Sequence, residues 1–269
     1  MLHVHSIDTL EHPQLAPYRT MRRQMEHRRE GIFVAEGEKV VRRLLDSELT
    51  VVSLLLPEKW LNVYEPLLKH RMEEIHAFMA PKEQLETLTG FSMYQGVLAV
   101  GRIPDTPLLT TVLDRSPRPL LLAAVENISN AENLGALVRN CAAFGVHALL
   151  AGETCCSPWL RRAVRNSMGT VFRLPALEVP GLAATLRQLR ERGVRCVAAH
   201  PHTDRRTLTQ ADFTRDCCIV FGSEGEGISA GVLAACDEHV AIPMHAGVDS
   251  LNVGAAAAVF LYEAARQRG

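Results

Sequence analysis

The chain has 269 residues, of which 47% are hydrophobic and 22% charged, and its formal net charge is −1. That length accommodates two ordinary domains and a large core, while the balanced charge excludes a uniformly cationic or anionic surface. No apolar run reaches the roughly 18 residues that cross a bilayer, and MLHVHSIDTLEHP at the start lacks the basic and apolar parts of a signal peptide, so a cytoplasmic location without a membrane partner is expected.

Cys141, Cys155, Cys156, Cys196, Cys217, Cys218 and Cys236 all lie in the second half, odd in number and without a CxxC pair, which predicts buried thiols rather than metal ligands or disulfides. Lys39, Lys59, Lys69 and Lys82 are the only lysines, so nearly every cation is an arginine. Arginine suits planar phosphate contacts, although a GC-rich genome produces the same bias.

In chain order, RTMRRQMEHRRE places Arg19, Arg22, Arg23, Arg28 and Arg29 within three expected helical turns, either a solvated face or a phosphate-contacting one. IFVAEG reads as a strand, and EKVVRRLLDSE as a helix with Val40, Val41, Leu44 and Leu45 inward. VVSLLL is a strand stopped by Pro57; a helical pattern follows over Val63 to Met72. IHAFMA, a helical PKEQLETLT and the GVLAVGRI strand complete an expected N-terminal α/β domain over 1–103. Residues 104–119, punctuated by Pro104, Pro107, Pro117 and Pro119, read as a linker that holds a short amphipathic segment.

From Leu120 the pattern alternates strand and helix. LLLAAVE, HALLAG, TVFRLPAL, VRCVAAH and CCIVFG read as strands; GALVRNCAAFG closes at Gly145, a helix begins at Ser157-Pro158, and GLAATLRQLRERG closes at Gly193. Continuous apolar strands between helices predict a mostly parallel sheet covered on both faces, over 120–269.

Three polar stretches at strand ends are the candidate site. NISNAENLGALVRN offers Asn127, Asn130 and Asn133 before a helix, and Arg139 inside its otherwise apolar run. The EGEG loop of FGSEGEGIS follows a buried strand, where open parallel sheets bind ligands, but it completes neither a dinucleotide fingerprint nor a P-loop. In IPMHAGVDSLNVGAAAA, Ser250 or Asn252 caps a helix whose alanines let another backbone approach closely. No Ser/His/Asp order can be assembled, and His200, His202, His239 and His245 lack helical metal spacing.

In order and spacing, NLGALVRNCAAFG, VFGSEGEGIS and IPMHAGVDSLNVGAAAAVFLYEA resemble the three motifs of the SpoU (TrmH-type) RNA ribose 2′-O-methyltransferases of the SPOUT superfamily. RNSMGTVFRLP is similar to the stretch between the first two motifs, and FVAEGEKVVRRLL to the start of the small RNA-binding domain that many members carry. The resemblance implies a sheet knotted as a trefoil by its C-terminal segment, an S-adenosyl-L-methionine cofactor, a homodimer and a ribosomal or transfer RNA substrate. It implies cofactor contacts from Gly222, Ile242 and Leu251, with Gly225, Met244 and Glu224 beside them. The implied catalytic group is Asn133, Arg139, Ser250 and Asn252, joined by Glu224, with no metal. Two positions depart from the family pattern: Asn130-Ala131-Glu132-Asn133 replaces an Asp-Pro-x-Asn turn, and Gly254 replaces a common serine. A catalytically silent RNA-binding homologue would be marked by loss of Arg139 or of the Ser250-Leu251-Asn252 triplet, and both are present.

Overall fold

The computed structural model describes residues 1–89, 96–201, 206–245 and 247–269; His202 and Ala246 of the stretches quoted above lie outside these. The chain divides into two compact units, Met1–Asp105 with Trp159–Arg173, and Thr106–Pro158 with Leu174–Gly269.

The first unit runs β1 (Leu2–Ser6), α1 (Ala16–Arg19), α2 (Gln24–Arg29), β2 (Ile32–Glu36), α3 (Glu38–Leu45), β3 (Val51–Leu56), α4 (Glu58–Lys69), β4 (Ile75–Met79), α5 (Lys82–Thr89) and β5 (Leu98–Arg102). Its sheet has the order β1-β4-β3-β5-β2, with β5 antiparallel to both its neighbours. The edge strand β1 is additional to the sequence reading. Its half-exposed alternation of histidine with aliphatic residues is a weak local signal, and parallel pairing with the distant β4 supplies the missing hydrogen bonds.

The arginine run is not one helix. α1 ends at Thr20, whose hydroxyl bonds back to the Ala16 carbonyl at 2.9 Å, while Arg19 donates to the carbonyls of Leu10 and His12. The five arginines therefore do not share a helical face, because local side-chain bonds compete with the helix.

The second unit contributes α6 (Leu109–Arg115), β6 (Leu121–Val125), α7 (Ala131–Ala143) and β7 (Ala148–Ala151); α8 (Arg161–Asn166) belongs to the first unit. β8 (Ala176–Glu178), α9 (Leu182–Glu191), β9 (Arg195–Ala199), β10 (Cys217–Phe221), α10 (Ala230–Ala235), β11 (Glu238–Val240) and α11 (Val253–Arg268) complete it. All pairings in its sheet, ordered β11-β9-β10-β6-β7-β8, are parallel. Alternate residues of each strand face opposite sides: Leu122 and Ala124 join a core with α6, α9 and α10, whereas Phe221 meets Phe260 of α11 across the other face at 5.8 Å. α6, inside the expected linker, buries Val112 and Leu113 in that core.

TVFRLPAL forms a single 3₁₀ turn over Thr170–Phe172 and a strand only from Ala176, because Gly169 adopts φ +79° on one side and Pro175 interrupts on the other. α8 begins at Arg161 rather than at Pro158. The segment is held within the first unit: Phe33 packs against Trp159 and Phe172 with centroids at 5.1 and 5.4 Å, and Glu36 binds Arg161 and Arg165. The Glu36 side chain is only 4% exposed, so its charge is tolerated through those two guanidinium partners. Glu36→Gln keeps one acceptor but removes the charge, and is expected to lower stability by about 2 kcal/mol, read from the urea midpoint.

All seven cysteines are free thiols, and burial pushes Cys156 up to about 11 and Cys236 up to about 12. Among the described residues no helix is long and apolar enough to cross a membrane, and no group of three or more His, Cys, Asp or Glu could hold a metal ion.

Candidate functional site

Parallel strands deliver their loops to one edge of the sheet, and three of these loops meet at the C-terminal ends of β6, β10 and β11. α7 starts four residues earlier than its apolar periodicity suggests. Asn130 caps it, its Oδ1 accepting from the amides of Glu132 at 2.8 Å and Asn133 at 3.3 Å. The departure from Asp-Pro therefore costs the helix no cap, since asparagine fills that role as well as aspartate. Asn133, Ala136 and Asn140 then form one stripe of α7 toward the start of α11, where Asn140 donates to the Gly254 carbonyl at 2.7 Å.

Of the two candidate caps for α11, the structure selects Asn252: its Oδ1 accepts from the amides of Gly254 at 2.9 Å and Ala255 at 3.4 Å. A side chain at Gly254 would begin 3.1 Å from that capping oxygen and 3.4 Å from the Ala136 methyl, which accounts for the small residue in this chain. The Asn252 amide donates to Asn133 Oδ1 at 3.1 Å and to Glu224 Oε1. Glu224 Oε1 also accepts from Asn133 Nδ2 at 3.2 Å and from the Val253 amide at 3.3 Å. One carboxylate oxygen thus joins all three loops and lies at the positive end of α11.

Beside this cluster is a cavity of about 450 Å³, within the range of small-molecule sites. Phe221, Ile228, Val240, Val253 and Phe260 give it apolar lining, and Gly222, Glu224, Gly225, Ile242, Met244, Ser250 and Leu251 line it as well. Every residue expected at the cofactor is therefore in one cavity wall. Asn133 and Asn252 stand behind Glu224. Arg139 does not line the cavity; it is exposed on α7, and among the described residues its guanidinium has no hydrogen-bond or ion-pair partner.

The glycines of this loop have two different origins. A Cβ on Gly222 would lie 2.2 Å from the Gly227 carbonyl carbon and oxygen, so the chain itself requires glycine there. Gly227 takes φ +70° and closes the turn by paired hydrogen bonds with Ser223 at 3.0 and 3.1 Å. A Cβ on Gly225 would meet nothing within 4 Å, and its φ is ordinary, so nothing in the protein demands glycine at that cavity position. A ligand seated close to the backbone would.

The sequence reading singled out neither Glu126, Glu226 nor Ser229, which shape the same loop. Glu126 Oε1 and Oε2 accept from the Ser229 hydroxyl and amide, each at 2.7 Å, and Asn127 donates to Glu226 Oε2 at 2.7 Å. The sequence signal of Glu126 is its place, with Asn127, directly after a buried strand, while Glu226 and Ser229 lie within and just after the EGEG loop.

Residues 120–262 match the SpoU rRNA Methylase family. An uncharacterized tRNA/rRNA methyltransferase of Mycobacterium tuberculosis is 34% identical over 242 residues, spanning 88% of this chain and 81% of that protein. The crystal structure of the SpoU methyltransferase AviRb from Streptomyces viridochromogenes, in complex with the cofactor AdoMet, superposes with a TM-score of 0.82 at 25% identity, covering 96% of this chain and 98% of AviRb. That of an RNA 2′-O ribose methyltransferase superposes with a TM-score of 0.78 at 27% identity over 100% of this chain and 99% of that one. The three motifs read from the sequence, the parallel sheet that brings their loops together at one edge, and these likenesses agree: the chain belongs to the SpoU rRNA methylase family.

Proposed function

We propose that the protein transfers a methyl group from S-adenosyl-L-methionine to a ribose 2′-hydroxyl of ribosomal or transfer RNA. The observation that carries the cofactor is Gly225, a glycine that the fold does not need, on the wall of a cavity lined by both apolar and polar residues. When bound, the cofactor supplies an electrophilic sulfonium methyl, which an in-line oxygen attacks as the carbon–sulfur bond breaks. Gly222, Ile242 and Leu251 present backbone to it, Gly225 leaves it room, and Met244 lines the same cavity. Asn133, Asn252 and Glu224 fix the loops relative to each other, so that alignment is paid for in folding rather than at each turnover.

Arg139 stays protonated in proteins, which makes it a poor base. We assign it to the phosphate next to the reacting ribose, which its planar fork grips. There it stabilises charge growing on the hydroxyl oxygen while the proton passes to that phosphate. Ser250, which is exposed and lines the cavity, is assigned to orient the reacting end. The first unit, with its arginines, is assigned to RNA binding, and the C-terminal segment to a trefoil threading. A homodimer would cover Leu251, Val259 and Tyr262, large apolar residues that are 37%, 40% and 59% exposed.

Incubation with methyl-labelled cofactor and separated RNA fractions is expected to label one fraction in alkali-resistant dinucleotides, because a 2′-O-methyl group blocks alkaline cleavage. Label on a base, or in neither ribosomal nor transfer RNA, would overturn the reading.

A further inference from the structure

The Ser223–Ser229 loop forms much of the cavity wall, yet two of its residues are glycines, which lose the most conformational entropy on ordering. Its inner half is fixed by Glu224 through Asn133, Asn252 and the Val253 amide. Its outer half needs a separate hold, because the turn between Ser223 and Gly227 is internal and ties the loop only to itself.

That hold comes from the end of β6. Glu126, whose amide still belongs to the sheet through the Phe221 carbonyl at 2.9 Å, clasps the Ser229 amide and hydroxyl with its two carboxylate oxygens. Ser229 in turn caps α10, accepting from the Val232 amide at 3.3 Å. Asn127 follows with φ +57°, a left-handed conformation that asparagine tolerates better than most residues. Its amide is fixed by the Thr154 hydroxyl at 3.0 Å, and its side chain reaches Glu226. Glu226 and Gly227 line the cavity, whereas Glu126 and Asn127 do not.

We propose that Glu126 and Asn127 are positioning residues that clamp the outer half of the cofactor loop to the sheet and so set cofactor affinity without touching the cofactor. The inference rests on the cofactor reading of this cavity. The contact between Asn127 and Glu226 is directional: an amide donates to a carboxylate. Asn127→Asp sets two carboxylates against each other and opens the clamp. Adding Glu226→Gln restores one donor and one acceptor with their roles exchanged. Asn127→Gly removes the side chain but keeps the left-handed backbone free of strain.

Calorimetric titration with S-adenosyl-L-methionine is expected to give a Kd about tenfold higher for Asn127→Asp and for Asn127→Gly, the order of one lost charge-assisted hydrogen bond. The Asn127→Asp/Glu226→Gln double variant is expected to bind as tightly as Glu226→Gln alone, the reference that accounts for loss of the cavity-lining carboxylate itself. In steady-state assays on the accepted RNA, the cofactor KM should rise with Kd while kcat at saturating cofactor stays within about twofold, a split that general loss of fold would not produce. Wild-type binding with unchanged affinity in both Asn127 single variants, or a double variant markedly weaker than Glu226→Gln alone, would overturn the clamp alone. Failure of the wild-type protein to bind S-adenosyl-L-methionine would overturn the cofactor reading and the clamp with it.

Discussion

Replacing Arg139 by alanine is expected to lower methyl transfer by about 10³-fold at saturating cofactor and RNA, the order seen when a charge-stabilising donor is removed. Cofactor affinity should change by less than about twofold, since Arg139 is exposed on α7 and outside the cavity wall. Its position suits a substrate contact: a guanidinium without a partner among the described residues, one helical turn beyond Ala136, on the helix whose Asn133 binds Glu224 and Asn252. Arg139→Lys should recover only part of the rate, because an ammonium keeps the charge but not the two-pronged geometry. Single-turnover methylation and calorimetry on the same variant separate the two effects. Near-normal turnover in Arg139→Ala would remove it from the reaction.

The second large effect is expected at Gly222, and a neighbour supplies the contrast. In Gly222→Ala the new methyl would sit 2.2 Å from the Gly227 carbonyl and 2.5 Å from the Ile228 amide. These are backbone atoms of the same loop and cannot turn aside as a side-chain end would. The loop must move, taking Glu224 from its three donors, so cofactor affinity should fall by at least about 100-fold, with a lowered melting temperature. Gly225→Ala meets nothing within 4 Å. It should leave the melting temperature unchanged and weaken cofactor binding by occupying the space where the ligand approaches the backbone. Equal effects of the two substitutions on both measurements would show that the two glycines do not have the separate roles assigned to them.

Much of the second unit is legible because its signals are local. Runs such as LLLAAV and CCIVF have no polar face and must be buried on both sides, and Gly145 and Gly193 adopt positive φ directly after α7 and α9. The three polar stretches that Glu224 ties together beside the cavity lie at strand ends in sequence, and a parallel sheet brings all such ends to one edge; order along the chain was enough to find them. Where competing local interactions decide, pattern failed. The arginine run has helical composition throughout, yet Thr20 and Arg19 spend their bonds on nearby carbonyls and break it.

By itself, then, the sequence determined the alternation of elements, the parallel sheet and the family motifs, all properties of residues within a turn or two of each other. Tertiary structure alone decided the rest. The segment Trp159–Arg173 joins the first unit because Glu36 and Phe33, more than a hundred residues earlier, supply partners for its arginines and aromatics. Asn252 rather than Ser250 caps α11 because Asn133 and Glu224 accept its amide from behind. Glu126 and Asn127 acquire a role only when the loop after β10 folds across the end of β6. Each depends on two groups far apart in sequence being brought within hydrogen-bond or van der Waals reach, and no local pattern encodes that distance.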